Sequence, residues 1–209
     1  MDIVVDKRTE LMSVVLALSQ GNEYIKEHFC FDAKDDYRQK VFDYFSKYTG
    51  HKCIVLAKQI AEKEEGFNFD NPIRLAFSLN ENLEFNGQIE KYLLNELENE
   101  ELLKNFMSEL QNFSKDSQFD KFYNKHCSYY LYKIQEVEKL LNKQKILEEV
   151  ERFLKRKIFE KFQVNIIPML INANHGFTID DKIYANIGLL SEDLKTIKPF
   201  DNGYKHIII

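Results

Sequence analysis

The sequence has no tryptophan, only seven glycines and only three cysteines. With so few glycines it offers no phosphate-cradling loop, no dinucleotide fingerprint and no Gly-x-Ser-x-Gly elbow for a serine nucleophile. Cys30, Cys53 and Cys127 are odd in number, widely spaced and without a Cys-x-x-Cys pair, which suits reduced thiols rather than a disulfide framework. No apolar run reaches the roughly 18 residues needed for a membrane-spanning helix, and Met1 to Asp6 lacks the basic and apolar regions of a secretory signal. A cytoplasmic location is therefore expected, or a secreted one if a signal peptide has been removed. None of the five histidines is followed by Glu, so His-Glu-x-x-His is absent. The net charge of −5 has the wrong sign for a general nucleic-acid binder, which needs a basic surface to displace counterions. Neither a membrane nor nucleic acid is an expected partner.

What is present is an ordinary globular composition, 44% apolar and 30% charged over 209 residues, with 17 Phe and 11 Tyr to fill an aromatic core. Two regions differ in pattern, and together they read as one α+β domain, 1–209, with a helical part, 1–162, and a strand part, 163–209. About eight helices are expected. Asp6 caps the first, which carries Leu11, Val14, Val15 and Leu18 at helical spacing and stops at Gly21. The second starts at Asp35 or Asp36 with Val41, Phe42 and Phe45 inward. The third starts near His51 with Ile54, Val55, Ala57 and Ile60 inward. Asn71-Pro72 signals a short helix over Ile73 to Leu79, and Asn80 to Gly87 reads as a loop. Ile89 to Leu97 and Glu100 to Phe113 follow. The territory from Ser117 to Phe162 is too long for one globular helix and predicts a break near Asn142. About three strands are expected after it: Val164 to Ile171, Ile183 to Leu190 and Tyr204 to Ile209, with turn chemistry at Asn172 to Gly176 and Asp201 to Gly203.

Two charged faces stand out. Glu81, Glu84, Glu90, Glu96, Glu98, Glu100 and Glu101 face only Lys91, while Lys139 to Lys161 is rich in Lys and Arg. Solvated helix faces are the plainer reading of both; a docking surface on either is the alternative. His28-x-Cys30 and His51-x-Cys53 have ligand types that zinc accepts, but neighbours two apart on a helix point to different sides. These residues therefore give no metal site and no catalytic set. Tyr129, Tyr130 and Tyr132 read as core plus one exposed ring rather than a base-stacking platform.

The stretches Val5 to Ser19, His51 to Lys58, Val164 to Phe177, Ile183 to Gly188 and Lys205 to Ile209 together resemble an uncharacterised bacterial domain family of zinc metallopeptidases. In that family a strand like the last one runs into a helix bearing His-Glu-x-x-His. The resemblance implies that this chain is the N-terminal, non-catalytic part of such a peptidase, ending just before the zinc helix and inactive without it. It further implies that zinc enters only with that helix, that the substrate is a peptide or protein, and that the open C-terminal strand can self-associate. In such enzymes a sheet edge pairs with the substrate backbone. By similarity that edge falls at Ile171, Asn172, Ala173, Asn174, His175 and Gly176, and Pro168 is compatible with it. A plain hairpin loop, with Gly176 at positive φ, is the competing reading of these residues. The competing function is a helical interaction module with no enzymatic activity.

Overall fold

Asp6 starts the helix around which the rest packs. Its carboxylate accepts the Arg8 N–H at 2.9 Å and forms a salt bridge with the Arg8 guanidinium at 2.6 Å, closing the N-terminus of α1 (Lys7–Ser19). The computed structural model describes residues 2–31, 36–144, 161–171 and 173–189, together with 148, 151–153, 155 and 157. Every residue of α1 from Thr9 to Ser19 is buried, so this helix lies inside the molecule rather than on it. Its polar groups are satisfied locally: the Thr9 hydroxyl donates to Asp6 O and the Ser13 hydroxyl to Glu10 O. The left-handed residue that ends it is Gln20, not Gly21. Gly21 serves a different need, because a Cβ there would lie 2.5 Å from the Ala61 Cβ of a neighbouring helix.

That neighbour is α4 (Lys52–Lys63), which packs on α1 and on α7 (Glu100–Asp116). Between and around them lie α2 (Glu23–His28), α3 (Asp36–Phe45) with a 3₁₀ turn at Ser46–Tyr48, α5 (Asn71–Ala76) and α6 (Lys91–Glu96). The chain then forms α8 (Phe119–Lys125) and α9 (Cys127–Gln144). Ten helices, one of them the 3₁₀ turn, and four strands are therefore found among the described residues, against about eight and three expected. The class is α+β and mostly helical, as the sequence indicates. α2 escapes a periodicity reading because it is barely more than one turn, held by Asn22 accepting the Ile25 N–H. The helical territory after Ser117 has a break at His126 that was not expected, while the one expected near Asn142 falls beside the end of α9 at Gln144, where the described residues stop. The break at His126 lets Phe122 from α8 and both Tyr129 and Tyr130 from α9 converge on the buried Tyr37 ring. Tyr130 is buried and Tyr132 exposed. Phe42 and Val55, expected inward, are exposed.

The sheet has the order β1-β2-β4-β3, from β1 (Asp2–Val4), β2 (Lys161–Ile171), β3 (Asn174–Ile179) and β4 (Lys182–Leu189). β1, β2 and β4 run parallel, and β3 runs antiparallel to β4 at the edge. The division into a helical part, 1–162, and a strand part is therefore inexact: the first residues join the sheet, Ile3 opposite Val164, and β2 begins at Lys161. Three residues give no periodic signal, which is why β1 is invisible in the sequence. The hairpin turn is Asp180–Asp181, with Asp180 in the left-handed region, and not Asn172–Gly176, of which Asn174 to Gly176 are strand. The expected strand Tyr204 to Ile209 and the turn at Asp201 to Gly203 lie outside the described residues.

β2 is the interior strand, buried from Phe162 to Ile171. Pro168 sits inside it, at the register shift between Ile166 and Ile171 against β4, so the proline marks a bulge and not an edge. The Pro168 carbonyl accepts from Nε and Nη2 of Arg38, a fully buried guanidinium, at 3.2 and 2.9 Å. Across the sheet, Asn165 and its register partner Asn186 share a buried hydrogen bond of 2.9 Å. Asn165 also bonds the Thr9 hydroxyl and the Asp6 N–H, which ties the start of α1 to the middle of β2.

Candidate functional site

The sheet leaves one long edge without a strand partner among the described residues: the outer side of β3. Which backbone groups face outward follows from antiparallel alternation. Ala173 O accepts the Gly188 N–H at 3.1 Å, so residues of odd number in β3 turn their N–H and C=O toward β4. Asn174, Gly176 and Thr178 consequently present theirs to the outside. Thr178 agrees, because its carbonyl accepts from Arg74 Nη2 at 2.9 Å, from α5 and not from β4. The side chains alternate in the same way: His175 and Phe177 are buried against the helices, while Gly176 and Thr178 are exposed.

On the helical side of this edge stands a cluster of rings. His28 Nδ1 donates to Ile171 O at 2.9 Å, and its ring lies 4.5 Å from that of Tyr24. The Tyr24 hydroxyl lies 2.6 Å from His175 Nε2, and the Tyr24 ring in turn lies 5.2 Å from that of Phe69. Tyr24 thus links the end of β2, through His28, to β3, through His175, and carries Phe69 against its ring. Burial pushes the His175 imidazole down to about 4, helped by nearby His28, so it is neutral and suits donation from the Tyr24 hydroxyl. Burial raises Tyr24 well above the ordinary tyrosine value, which keeps it protonated. Arg74 closes the far end: it pairs with the Glu90 carboxylate through two nitrogens and lies over the Tyr92 ring at 4.2 Å. Beyond it a groove of about 270 Å³ runs along Ile179, Asn86, Gln88 and Glu90.

The six residues expected at the edge divide. Asn174 and Gly176 lie on it; His175 lies in the same strand with its backbone toward β4 and its ring under Tyr24. Ile171 ends β2 and Ala173 is turned toward Gly188, so neither contributes to the outer edge. Asn172 lies outside the described residues. Gly176 is in extended strand and not at positive φ, which removes the hairpin-loop reading. Tyr24, Phe69, Arg74 and Thr178 were not foreseen. The one signal near them is the helix start at Asn71-Pro72, which fixes where the Phe69 to Arg74 segment turns.

Elsewhere the chemistry is structural. His51 caps α4, its Nδ1 accepting the Cys53 N–H, and its Nε2 meets Asp116 at 3.2 Å; Cys53 is buried. This gives the His51-x-Cys53 pair a role in capping and packing. Among the described residues no three His, Cys, Asp or Glu side chains are grouped to hold a metal ion, and no helix is long and apolar enough to cross a membrane. The acidic residues from Glu81 to Glu101 are solvent-facing apart from Glu90. Local pairs engage both charged faces: Lys104 with Glu100, Lys157 with Glu151 and Lys161 with Asp181.

No curated protein and no solved structure matches the chain. A family model described as "Domain of unknown function (DUF4932)" matches residues 1–202, nearly the whole length, and the chain belongs to that family.

Proposed function

We propose that this chain is the non-catalytic, substrate-presenting part of a zinc-dependent metallopeptidase, with the outer edge of β3 taking up an extended peptide as an added strand. The observation that carries this reading is the outward set of backbone groups at Asn174 and Gly176, with the Thr178 N–H beside a carbonyl that Arg74 already holds, on the one antiparallel strand that the sheet has among the described residues. The charged faces support a docking role less well, because solvated side chains with a few local pairs, such as Lys104 with Glu100 and Lys157 with Glu151, are what any helix surface carries.

The residues present do not themselves fit zinc. His28 and His175 are the two imidazoles in the cluster; each has one ring nitrogen committed, to Ile171 O and to Tyr24, the Glu27 carboxylate stands 4.0 Å from His28 Nε2, beyond the reach of a shared ion, and among the described residues no three such side chains are grouped to hold a metal. A zinc-bearing helix with His-Glu-x-x-His would supply the metal and the activated water. This chain's own task is to bind and orient the peptide backbone. Gly176 contributes an edge position without a side chain, and the neutral His175–Tyr24 pair holds the strand against α2.

The test uses the full gene product, read through the codon for Ile209. Stoichiometric zinc together with hydrolysis of a fluorogenic peptide is the expected result. Gly176→Pro removes an outward N–H and is expected to retain zinc while lowering kcat/KM on the order of a hundred-fold. A gene product with neither zinc nor hydrolysis would sink the peptidase reading.

A further inference from the structure

The edge of β3 offers hydrogen bonds that any peptide backbone satisfies, so it selects nothing by itself. Selection requires a side-chain contact next to the edge, and the structure places one there. Phe69 is 60% exposed, unusual for a phenylalanine that borders an aromatic cluster, and its backbone is left-handed with φ of 48°. A large side chain held in that conformation and turned to solvent does not help the core. Yet the ring is not isolated. It lies 5.2 Å from Tyr24, which is anchored to His175 on β3 through the hydroxyl, and five residues later the same segment sends Arg74 to the Thr178 carbonyl on the outer edge. Segment 69–74 therefore reaches β3 at two places, Phe69 through Tyr24 to His175 and Arg74 directly to Thr178.

We infer that Phe69 and Tyr24 form a side-chain subsite that selects a large apolar or aromatic residue in a peptide bound along β3. The inference deepens the strand-addition reading and rests on it. A peptide paired with β3 alternates its side chains between the two faces of the sheet, so those on the helical face fall against segment 69–74. The two rings supply a flat apolar wall, and the adjoining charge is already matched: the Arg74 guanidinium is paired with Glu90 and sits over Tyr92 and Phe177. A charged peptide side chain would therefore gain no free partner at Arg74, whereas a ring or a leucine buries apolar area.

The experiment measures fluorescence anisotropy of this chain with fluorescein-labelled octapeptides of alternating Thr and Val, in which one central position is Phe, Leu, Ala or Lys. The Phe and Leu peptides are expected to bind on the order of ten-fold tighter than the Ala and Lys peptides. Phe69→Ala should collapse that preference, and Phe69→Leu should restore most of it. Phe69→Gly suits the left-handed backbone, so it should fold at least as well as wild type and still lose the preference, which separates a lost subsite from lost folding. A preference unchanged in Phe69→Ala and Phe69→Gly would overturn the subsite. A matching series N-methylated at alternate backbone positions probes the edge itself. If methylation abolishes binding while Phe69 has no effect, the edge reading stands and the subsite falls. Should methylated peptides bind as well as unmodified ones, strand addition fails and the subsite fails with it.

Discussion

β2 and β3 belong to the same sheet and are opposites in burial. β2 is covered on both faces along nearly its whole length, reads as a continuous apolar run, and holds Asn165 and Gln163 only by giving them partners on α1 and β4. β3 alternates buried and exposed, and its sequence, Asn-His-Gly-Phe-Thr-Ile, is half turn chemistry. The difference shows where this fold keeps its stability and where it leaves valence unspent. An interior strand satisfies every backbone group inside the protein; an edge strand leaves alternate groups for another chain.

The contrast breaks most visibly by truncation. Ile166→Ala in β2, a fully buried position, is expected to destabilise by about 2–5 kcal/mol, whereas Thr178→Ala in β3 should stay within about 0.5 kcal/mol, both read from urea midpoints. Gly188→Ala belongs with the interior, since its Cβ would lie 2.5 Å from Ala173 O and 2.9 Å from Leu170 O, and backbone in β2 and just before β3 would have to move. Equal effects in β2 and β3 would mean that β3 is not an edge.

Proline sharpens the comparison within β3 itself. Phe177→Pro deletes an N–H directed at β4 and should cost about 3 kcal/mol or more, while Gly176→Pro deletes one directed outward and should cost markedly less. Thermal unfolding of the two variants decides the parity of the strand. The reverse order would reassign which groups face the outside.

His175 makes the edge sensitive to acid. Its folded value is about 4 against an ordinary 6.5, so between these the unfolded chain binds a proton that the folded chain does not. The stabilisation is complete above about 6.5, declines as pH falls toward 4 and is gone below, a change of up to roughly 3 kcal/mol. The groups facing this imidazole are His28 and Tyr24, with Glu27 and Asp70 beyond the tyrosine. His175→Gln should flatten this part of the pH profile, measured as the wild-type minus variant difference. An unchanged difference from pH 7 to pH 4 would exclude a neutral His175.

Much of the helical half was legible because burial and periodicity coincide there: Leu11, Val14 and Val15, or Leu103, Phe106 and Leu110, lie where their spacing puts them. β2 and β4 were legible as short apolar runs. β3 was not, since the solvent face of an edge strand has no reason to be apolar, and Gly176 signals a turn and an exposed strand position equally well. β1 and α2 are too short to carry a period. Only Asn174, His175 and Gly176 of the site were in view. Tyr24 and Arg74 join it through contacts with residues more than 100 positions away, His175 and Thr178, and Phe69 through Tyr24, and no local pattern encodes these.

The smallest expected effect lies at the rim of the same sheet. Lys161, at the start of β2, approaches Asp181 in the β3–β4 turn at 3.6 Å, and both side chains are about three-quarters exposed. Two flexible charges in water gain little that side-chain ordering does not cancel, so Lys161→Met should change stability by less than about 0.5 kcal/mol, and less still in high salt. The buried counterpart is Asp6 with Arg8, where the carboxylate also caps α1 and the guanidinium lies over Phe77 at 4.4 Å. Asp6→Ala there removes a cap as well as a charge, and should cost about 1–2 kcal/mol. If chemical denaturation instead found the rim pair worth more than 1 kcal/mol, Lys161 and Asp181 would have to be shielded from water, and the hairpin end of β3 would be a covered surface rather than an approach to the open edge.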